Sequence, residues 1–431
     1  MHRDLLNDLL TWKQSPRRKP LLLRGARQVG KSWIIRKLSE SFDNFVEINF
    51  EKHIQPRAFF EGDLEVKIIL EKLALYSGQS IVPGKTLLFL DEIQACEPAI
   101  IALRYFKEEI PELHVIAAGS LVDFAIDNIG IPVGRIQFMF LYPLSFCEYL
   151  TVIGKNTLRE HINRGAIDPV FHQTLLEHFK TYTMIGGMPE VIKTWLDTTD
   201  FKACHDVQDE IILSYKQDFS KYAHSHQIDK LDVVFANTPQ QFGHKFVYKN
   251  VESEFRSNVL KEALLLLKKA GILHIAYHSS AQGLPLQATI DEKRFKVFFF
   301  DIGIANRLMG LDEKTWLLKP LEVAYKGGIF EQFVAQEYIA LSSKTTPAQI
   351  YYWHREAKYS NAEVDLLFVK NGEIVPVEVK SSSKGTLKSM RIFLESHPHS
   401  KYGIKVSEQP NGKNGDILEI PFYGLEAWLN S

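Results

Sequence analysis

Residues Gly25–Ser32 combine glycines, a lysine and a hydroxyl group at a spacing that binds nucleotide phosphates. They read G-A-R-Q-V-G-K-S and match the pattern G-x-x-x-x-G-K-[ST] in full. In this pattern the backbone wraps around phosphates, and amides at the start of the next helix point toward negative charge. Lys31 would reach the β- and γ-phosphates, and the Ser32 hydroxyl would ligate Mg²⁺. The predicted nucleotide-binding residues are Gly25, Ala26, Arg27, Gln28, Val29, Gly30, Lys31 and Ser32.

A second segment supplies the carboxylates that such a site needs. Thr86–Leu90 is an apolar run typical of a buried parallel strand, and Asp91 and Glu92 follow it directly. Because ligands collect at the carboxyl ends of such strands, Asp91 would hold Mg²⁺, and Glu92 would orient or deprotonate the attacking water. Alone, the pattern also fits a strand that ends in an acidic helix cap. The pair of acids favours hydrolysis over transfer to a second substrate.

Two more residues are candidates for the same chemistry. Ser120 ends a third strand-like run that begins at His114, where it would orient the water; a helix-capping serine is the alternative. Arg135 follows Gly134 on a turn and would neutralise transition-state charge, in cis or from a neighbouring subunit; an ordinary surface arginine is the alternative. The catalytic residues predicted for the nucleotide site are Lys31, Glu92, Ser120 and Arg135.

A predicted hairpin near the C-terminus carries the second group of reactive side chains. Two strand-like runs are separated by Asn371-Gly372, the dipeptide most typical of a two-residue type I′ turn. This turn would place Lys370 opposite Glu373. Counting back along both strands, Asp365 would lie opposite Glu378, and Glu363 opposite Lys380, with all four side chains on one face.

Opposed carboxylates repel each other, and a divalent cation between Asp365 and Glu378 would remove that cost. Lys380 would then position or activate a water. We therefore predict Asp365, Glu378 and Lys380 as catalytic residues and Asp365 and Glu378 as metal ligands. The order of predicted elements and the D…E-x-K pattern resemble the core of PD-(D/E)xK nucleases, with Val364 where that family often has proline. Two alternatives would explain the same charged residues: a solvated sheet face, or a nuclease-like fold that only binds its ligand.

The elements that must position these residues fall into four stretches. Residues 1–150 alternate apolar runs with helical patterns, which predicts a P-loop NTPase core on a parallel sheet. Residues 151–235 are predicted to be a helical lid, and 321–431 a restriction-endonuclease-like α/β domain. Residues 236–320 resemble a winged helix, with helices followed by a hairpin. Between Lys245 and Lys269, six Lys or Arg stand against three Glu, which allows contact with nucleic acid; a solvated or protein-binding face fits equally well.

Composition narrows the class of protein. With 51 basic and 52 acidic residues among 431, the net charge of −1 gives no global bias toward nucleic acid or membrane. The three cysteines are widely spaced and form no metal or redox motif. No signal peptide or membrane-spanning run is evident, so a cytoplasmic location without membrane contact is expected.

The chain as a whole resembles the prokaryotic AAA-family ATPases that end in a restriction-endonuclease-like domain of unknown function. The motifs that carry this resemblance are Arg24–Ser32, Leu90–Gln94, Gly119-Ser120, Gly134-Arg135, Gly186–Pro189 and Phe300–Gly303. The resemblance implies ATP and Mg²⁺ as ligands, with Lys31, Ser32, Asp91 and Glu92 in the ATP site, and a homo-oligomer is compatible with it.

Three functions remain open at this point. The first is an Mg²⁺-dependent ATPase whose nucleotide state controls a nucleic-acid-binding or nuclease-like C-terminal domain. The second is an ATP-driven switch that binds a protein partner and carries an inert nuclease-like fold. The third is a kinase for a small molecule, for which the sequence shows no acceptor pocket.

Overall fold

A computed structural model of the chain describes residues 1–129, 134–165, 168–312, 314, 326–356, 361–381 and 387–431. The described residues divide into two compact units. The first comprises His2–Tyr142 and Ser343–Pro347, and the second comprises Met1, Pro143–Ser342 and Ala348–Ser431. None of the helices in these residues has the length and apolar character that crossing a lipid bilayer requires.

The first unit is built on a parallel sheet. Its strands are β1 (Leu21–Arg24), β2 (Asn44–Asn49), β3 (Thr86–Asp91), β4 (His114–Ala118) and β5 (Gln137–Phe140). Within the described residues the sheet has five strands in the order β2-β3-β4-β1-β5, and all neighbouring strands run parallel. Every residue of β3 and β4 is buried, as expected for inner strands covered by helices on both faces. The predicted α/β core with a parallel sheet is therefore confirmed.

The helices of the first unit follow the strands in alternation. They are α1 (Leu5–Gln14), α2 (Lys31–Ser39), α3 (Val66–Ser77), α4 (Glu97–Glu109) and α5 (Val122–Ile129), with 3₁₀ helices at Gln55–Phe60 and Ile93–Ala95. Strand β4 lies between β1 and β3, so the segments that follow these three strands meet at one edge of the sheet. That edge brings the predicted phosphate loop, the two acids and Ser120 into one region.

The second unit begins with helices. Its helices are α6 (Phe146–Val152), α7 (Asn156–Asn163), α8 (Pro169–Ile185), α9 (Pro189–Thr198), α10 (Phe201–Tyr222), α11 (Ser225–Asn237), α12 (Tyr248–Val251), α13 (Ser257–Lys269), α14 (Ile302–Leu308), α15 (Lys326–Leu341), α16 (Lys388–Ser396) and α17 (Leu425–Asn430), with 3₁₀ helices at Thr238–Gln241, Leu286–Thr289 and Phe422–Gly424. The first compact unit ends at Tyr142, and Leu144 bonds within the second unit: its N–H donates to Gly187 O (2.8 Å), and its carbonyl accepts from the Tyr182 hydroxyl (2.6 Å). The domain boundary near residue 150 stays a prediction.

One sheet runs through the second unit. Its strands are β6 (Leu273–Ser279), β7 (Ile290–Phe299), β8 (Ile350–Arg355), β9 (Ala362–Lys370), β10 (Glu373–Lys380), β11 (Gly403–Ser407), β12 (Gly412–Asn414) and β13 (Ile417–Pro421). Among the described residues it has eight strands in the order β12-β13-β11-β10-β9-β8-β6-β7.

The hairpin β6–β7 joins this sheet, and the winged-helix-like character predicted for residues 236–320 stays a prediction. Strand β6 pairs with β7 on one side and runs parallel to β8 on the other, with Tyr277 opposite Tyr351. A lone two-stranded hairpin is marginally stable in water, and pairing with β8 removes one of its open edges. The predicted boundary between residues 320 and 321 falls outside the described residues, and described strands on both sides of it belong to this sheet.

The hairpin β9–β10 has the predicted turn. Asn371 and Gly372 both adopt positive φ angles, 51° and 76°, as a type I′ turn requires. Lys370 pairs with Glu373, and the register continues to Leu366 opposite Val377. The backbone pairing of the two strands ends there. Beyond it, the Val379 N–H donates a hydrogen bond to the Asp365 carboxylate (2.7 Å).

A buried aspartate ties together two of the glycine-containing motifs in the sequence. Asp301 accepts hydrogen bonds from the backbone N–H groups of Gly187 (2.6 Å) and Ile304 (2.9 Å), and it thereby caps α14. The approach is so close that a Cβ on Gly186 would lie 2.2 Å from Asp301 Oδ1. The Gly186–Pro189 and Phe300–Gly303 motifs therefore form a single structural connection.

Replacing Asp301 by Ala is expected to destabilise the second unit by about 2–4 kcal/mol, because it leaves buried N–H groups without acceptors. For a unit of this size that cost corresponds to a fall of roughly 5–10 °C in melting temperature. Thermal unfolding of the full chain measures it, with Asp229→Ala on an exposed position of α11 as the control. A shift no larger than that of the control would contradict the role of Asp301.

Candidate functional site

The phosphate loop leaves the end of β1 and enters α2 at Lys31. Its first residue, Gly25, has a φ angle of 150°, and a Cβ there would lie 2.1 Å from the carbonyl oxygen of Leu141. Leu141 is held in place by the hydrogen bond from its N–H to Arg24 O (2.8 Å). Only glycine fits this close approach, because a Cβ would collide with the Leu141 carbonyl. The strand-to-helix setting predicted for Gly25–Ser32 is present.

Lys31 folds back onto the loop that precedes it. Its ammonium donates to the carbonyl oxygens of Gly25 (2.9 Å) and Ala26 (2.8 Å), and the side chain is buried. Burial lowers the pKa of Lys31 to about 8, although the nearby carboxylates of Glu92 and Asp91 raise it. The site thus holds a desolvated ammonium whose only close acceptors in the loop are neutral carbonyls, an arrangement that favours an anionic ligand.

Ser32 and Asp91 meet across the sheet edge. The Ser32 hydroxyl lies 3.2 and 3.1 Å from the two carboxylate oxygens of Asp91. Burial and the adjacent Glu92 raise the pKa of Asp91, whereas the hydrogen bonds from Ser32 and Asn49 lower it. A hydroxyl and a carboxylate side by side are hard oxygen donors of the kind that Mg²⁺ prefers, so these residues fit the predicted ion.

Asn49 is a member of this site that the sequence did not suggest. It lies directly opposite Asp91 at the end of β2, and its amide donates to Asp91 Oδ2 (3.0 Å). Its own carbonyl accepts from the N–H groups of Glu51 (3.1 Å) and Lys52 (2.8 Å), which fixes the orientation of the amide. Asn49 therefore positions the carboxylate that would hold Mg²⁺.

Glu92 sits on a bend directly after β3. Its φ angle of 50° is in the left-handed region, which is uncommon for a residue with a side chain and typical of functional turns. The Gln94 amide donates to Glu92 Oε2 (2.6 Å) and holds the carboxylate in place. Gln94 packs in turn against Gly119, where a Cβ would lie 2.0 Å from Gln94 Oε1.

Ser120 lies where the sequence predicted it, just beyond β4. Ala118 at the end of β4 is opposite Leu23 of β1 on one side and Asp91 of β3 on the other. Ser120 therefore follows the strand between the phosphate loop and the acidic pair. Its role as a water-orienting group stays a prediction.

Arg135 is not brought to this edge within the unit. It precedes β5, whose first residue Gln137 lies opposite Leu21 at the start of β1, so it belongs to the amino ends of the strands. Its guanidinium is half exposed and pairs with Glu108 (2.8 Å) at the end of α4. The length of β1 separates it from the phosphate loop by roughly 10 Å or more. A role in cis is therefore not supported by the position of Arg135, and a role from a neighbouring subunit stays a prediction.

The second predicted site gathers more charged groups than expected. Six side chains of the described residues form what we call the carboxylate cluster: Lys296 on β7, Glu331 on α15, Glu363 and Asp365 on β9, and Glu378 and Lys380 on β10. Glu378 pairs with Lys380 in a close ion pair. The predicted grouping of Asp365, Glu378 and Lys380 is present.

Burial dominates the electrostatics of the carboxylate cluster. It raises the pKa of Glu331 to about 8 and that of Glu378 to about 7, in both cases with Asp365 as the next cause. Burial also raises the pKa of Asp365, which Lys296 opposes. Among the described residues, no group of three or more His, Cys, Asp or Glu side chains is arranged to hold a metal ion. The metal site predicted at Asp365 and Glu378 stays a prediction; in the structure Lys380 pairs with Glu378, and Lys296 pairs with Glu331 and Glu363.

Comparison with known proteins matches three segments of the chain to family models. Residues 17–150 match an AAA domain, 176–315 match a domain of unknown function (DUF8612), and 326–423 match another domain of unknown function (DUF4143). No curated protein matches the chain. The match of residues 17–150 to an AAA domain, together with the parallel sheet and the phosphate loop, supports a P-loop domain of the AAA type in this part of the chain.

Two solved structures are distantly similar to this chain. The Walker-type ATPase PABY2304 of Pyrococcus abyssi is 16% identical over 72% of this chain and 95% of its own, with a TM-score of 0.46. The Aeropyrum pernix ORC1 protein in complex with DNA is 13% identical over 73% of this chain and 92% of its own, with a TM-score of 0.29. Neither score is high enough to support an argument about this chain.

Proposed function

We propose that the chain is a cytoplasmic, Mg²⁺-dependent ATPase. The observation that carries this proposal is the meeting of Lys31, Ser32 and Asp91 at one sheet edge, with the Ser32 hydroxyl 3.1 Å from the Asp91 carboxylate. The match of residues 17–150 to an AAA domain supports it. No single side chain is diagnostic, but an ammonium, a hydroxyl and a carboxylate at the end of a phosphate loop together suit a nucleoside triphosphate.

The residues divide the chemistry between binding and proton transfer. Amides of the loop and the start of α2 would bind the phosphates, and Lys31 would exchange its bonds to Gly25 O and Ala26 O for bonds to phosphate oxygens. Bound Mg²⁺, held by Ser32 and Asp91, would neutralise charge on those oxygens. Glu92, oriented by Gln94, would accept hydrogen bonds from the attacking water and take its proton. Ser120 would help to orient that water.

For the second unit we propose that the nucleotide state controls a nucleic-acid-binding or nuclease-like activity. The carboxylate cluster supports it, because Asp365, Glu378 and Lys380 lie together on neighbouring strands. The Asp365 carboxylate bonds to Val379 N–H, directly beside Glu378 and Lys380 on β10. A helical lid, a winged-helix-like region, contact with nucleic acid and a homo-oligomer remain parts of this proposal.

Plasmid DNA provides the test of nuclease activity. If the cluster cleaves DNA, supercoiled plasmid is expected to be nicked in Mg²⁺ or Mn²⁺, and the Asp365→Ala/Lys380→Ala double variant is expected to lose at least 100-fold in nicking rate. Gel electrophoresis after incubation without nucleotide, with ATP and with ADP measures this. Intact ATP hydrolysis without nicking in any nucleotide state would eliminate the nuclease activity.

A second candidate function is a nucleotide-dependent switch that binds a protein partner and carries an inert nuclease-like fold. One observation favours it: the ammonium of Lys296 lies 3.0 Å from Glu331 and 2.7 Å from Glu363, in the same cluster as the predicted metal ligands Asp365 and Glu378. Under this candidate the plasmid stays intact, and a partner binds the chain with an affinity that differs between ATP and ADP.

A further inference from the structure

Lys296 is a buried lysine with two carboxylate partners. Its side chain is 1% exposed on β7, and its ammonium contacts Glu331 Oε2 at 3.0 Å and Glu363 Oε1 at 2.7 Å. It also lies 5.4 Å from the centroid of the Tyr352 ring. Burial lowers the pKa of Lys296, but Glu331, Glu363 and Asp365 outweigh it and raise the pKa above its usual value. The ammonium is thus held charged inside the unit.

The carboxylate cluster retains unsatisfied polar atoms beside this ion pair. In the described residues, the four acids of the cluster outnumber its two lysines. Glu378 Oε2 and the Tyr352 hydroxyl are buried and have no hydrogen-bond partner among the described residues. Tyr352 itself is fully buried and Glu378 is 4% exposed. Buried polar atoms without partners are costly, so the cluster depends on the cations that the chain already supplies to it.

We propose that Lys296 is the resident cation of the carboxylate cluster and keeps divalent metal ions out of it. Because Lys296 is part of the folded chain, its ammonium lies among the acids without the cost of binding an ion from solution. A divalent ion would have to break the two ion pairs of the buried Lys296 ammonium to enter. Removal of the ammonium leaves the four acids with Lys380 alone, and an Mg²⁺ or Mn²⁺ ion then becomes the best available counter-charge.

This proposal goes beyond ATP hydrolysis. It shares with the second candidate function the assumption that the carboxylate cluster of the wild type binds no divalent metal ion. Its prediction is that Lys296→Met, which removes the ammonium but keeps an unbranched side chain as far as Cε, creates a divalent-metal site. In metal-free buffer this variant is expected to melt below the wild type, and excess Mn²⁺ is expected to raise its melting temperature by roughly 5 °C. Adding Asp365→Asn to Lys296→Met should abolish that gain.

The experiment uses the full chain without nucleotide, so its outcome is independent of whether the chain hydrolyses ATP. Thermal unfolding with and without Mn²⁺ is combined with equilibrium dialysis of Mn²⁺. Lys405→Met is the matched control, because it removes another buried lysine of the same sheet, 3.5 Å from Glu419 on β13, outside the cluster. Neither the wild type nor this control should gain stability from Mn²⁺.

Two results would overturn the proposal. One is a wild-type chain that binds Mn²⁺ at a site lost on Asp365→Asn. The other is a folded Lys296→Met variant that gains no Mn²⁺ site. If Lys296→Met fails to fold even with Mn²⁺, dialysis of the wild type decides: Asp365-dependent binding overturns the proposal, and its absence supports it.

Discussion

The Glu92→Gln variant is expected to bind Mg²⁺-ATP like the wild type and to hydrolyse it at least 100-fold more slowly. Glutamine has the same shape, so the bend after β3, where Glu92 has a φ angle of 50°, should be kept. An amide cannot take a proton from water, and loss of a general base costs about 10²–10⁴ in rate. Binding of a fluorescent ATP analogue and release of phosphate measure the two effects separately.

Glu97→Gln is the control for this experiment. Glu97 is an exposed glutamate at the start of α4, a few residues beyond Glu92, so it reports any general effect of removing a carboxylate from this part of the chain. Its turnover should match the wild type. Equal turnover in the Glu92→Gln variant would show that Glu92 is not the base.

The Lys31→Met variant is expected to lose ATP binding, with an affinity at least 100-fold below that of the wild type. Lys31 is the ammonium that the structure buries against the loop carbonyls, and methionine offers no charge to the phosphates. Turnover should fall below detection. Isothermal titration with ATP and Mg²⁺ measures the affinity directly.

The same variant is expected to be at least as stable as the wild type when no nucleotide is present. Burial lowers the pKa of Lys31 from 10.5 to about 8, so at pH 7 the folded state bears a cost of roughly 3 kcal/mol for the buried charge. As pH rises from 8 toward 10.5, the unfolded chain holds this proton more tightly than the folded chain, and wild-type stability should approach that of the variant. Thermal unfolding at pH 7 and pH 9.5 tests this.

Lys37→Met provides the matched control on the same helix. Lys37 is exposed on α2 and pairs with Glu40 at 2.7 Å, away from the loop. It should leave both ATP affinity and turnover within about twofold of the wild type, as surface substitutions usually do. A Lys31→Met variant that binds ATP as well as Lys37→Met would remove the basis for the phosphate site.

Short sequence patterns correctly predicted the features whose structure depends on residues adjacent in the sequence. The phosphate loop and the turn at Asn371-Gly372 are both determined within a few residues, and both lie where the sequence placed them. The position of Arg135 could also have been predicted from the sequence, because Arg135 precedes the last strand of a parallel sheet. The amino ends of such strands lie at the edge opposite the phosphate loop.

Asn49 and Lys296 could not be found in this way, because their partners are distant along the chain. Asn49 contacts Asp91 only because β2 lies beside β3, and strand order is not encoded in the spacing of either segment. Lys296 reaches the carboxylate cluster because β6–β7 extends the sheet of β8–β10. The sequence favoured a separate winged helix for that hairpin, since its helices and strands are compatible with one.

Phosphate release by the purified full chain, with ATP and without any acceptor molecule, tests the central claim most directly. The wild type is expected to release phosphate when Mg²⁺ is present and to stop when EDTA is added, while Glu92→Gln binds ATP and releases at least 100-fold less. A wild type that binds ATP yet releases no more phosphate than Glu92→Gln, or that requires an added small molecule as acceptor, would contradict the assignment of this chain as an ATPase.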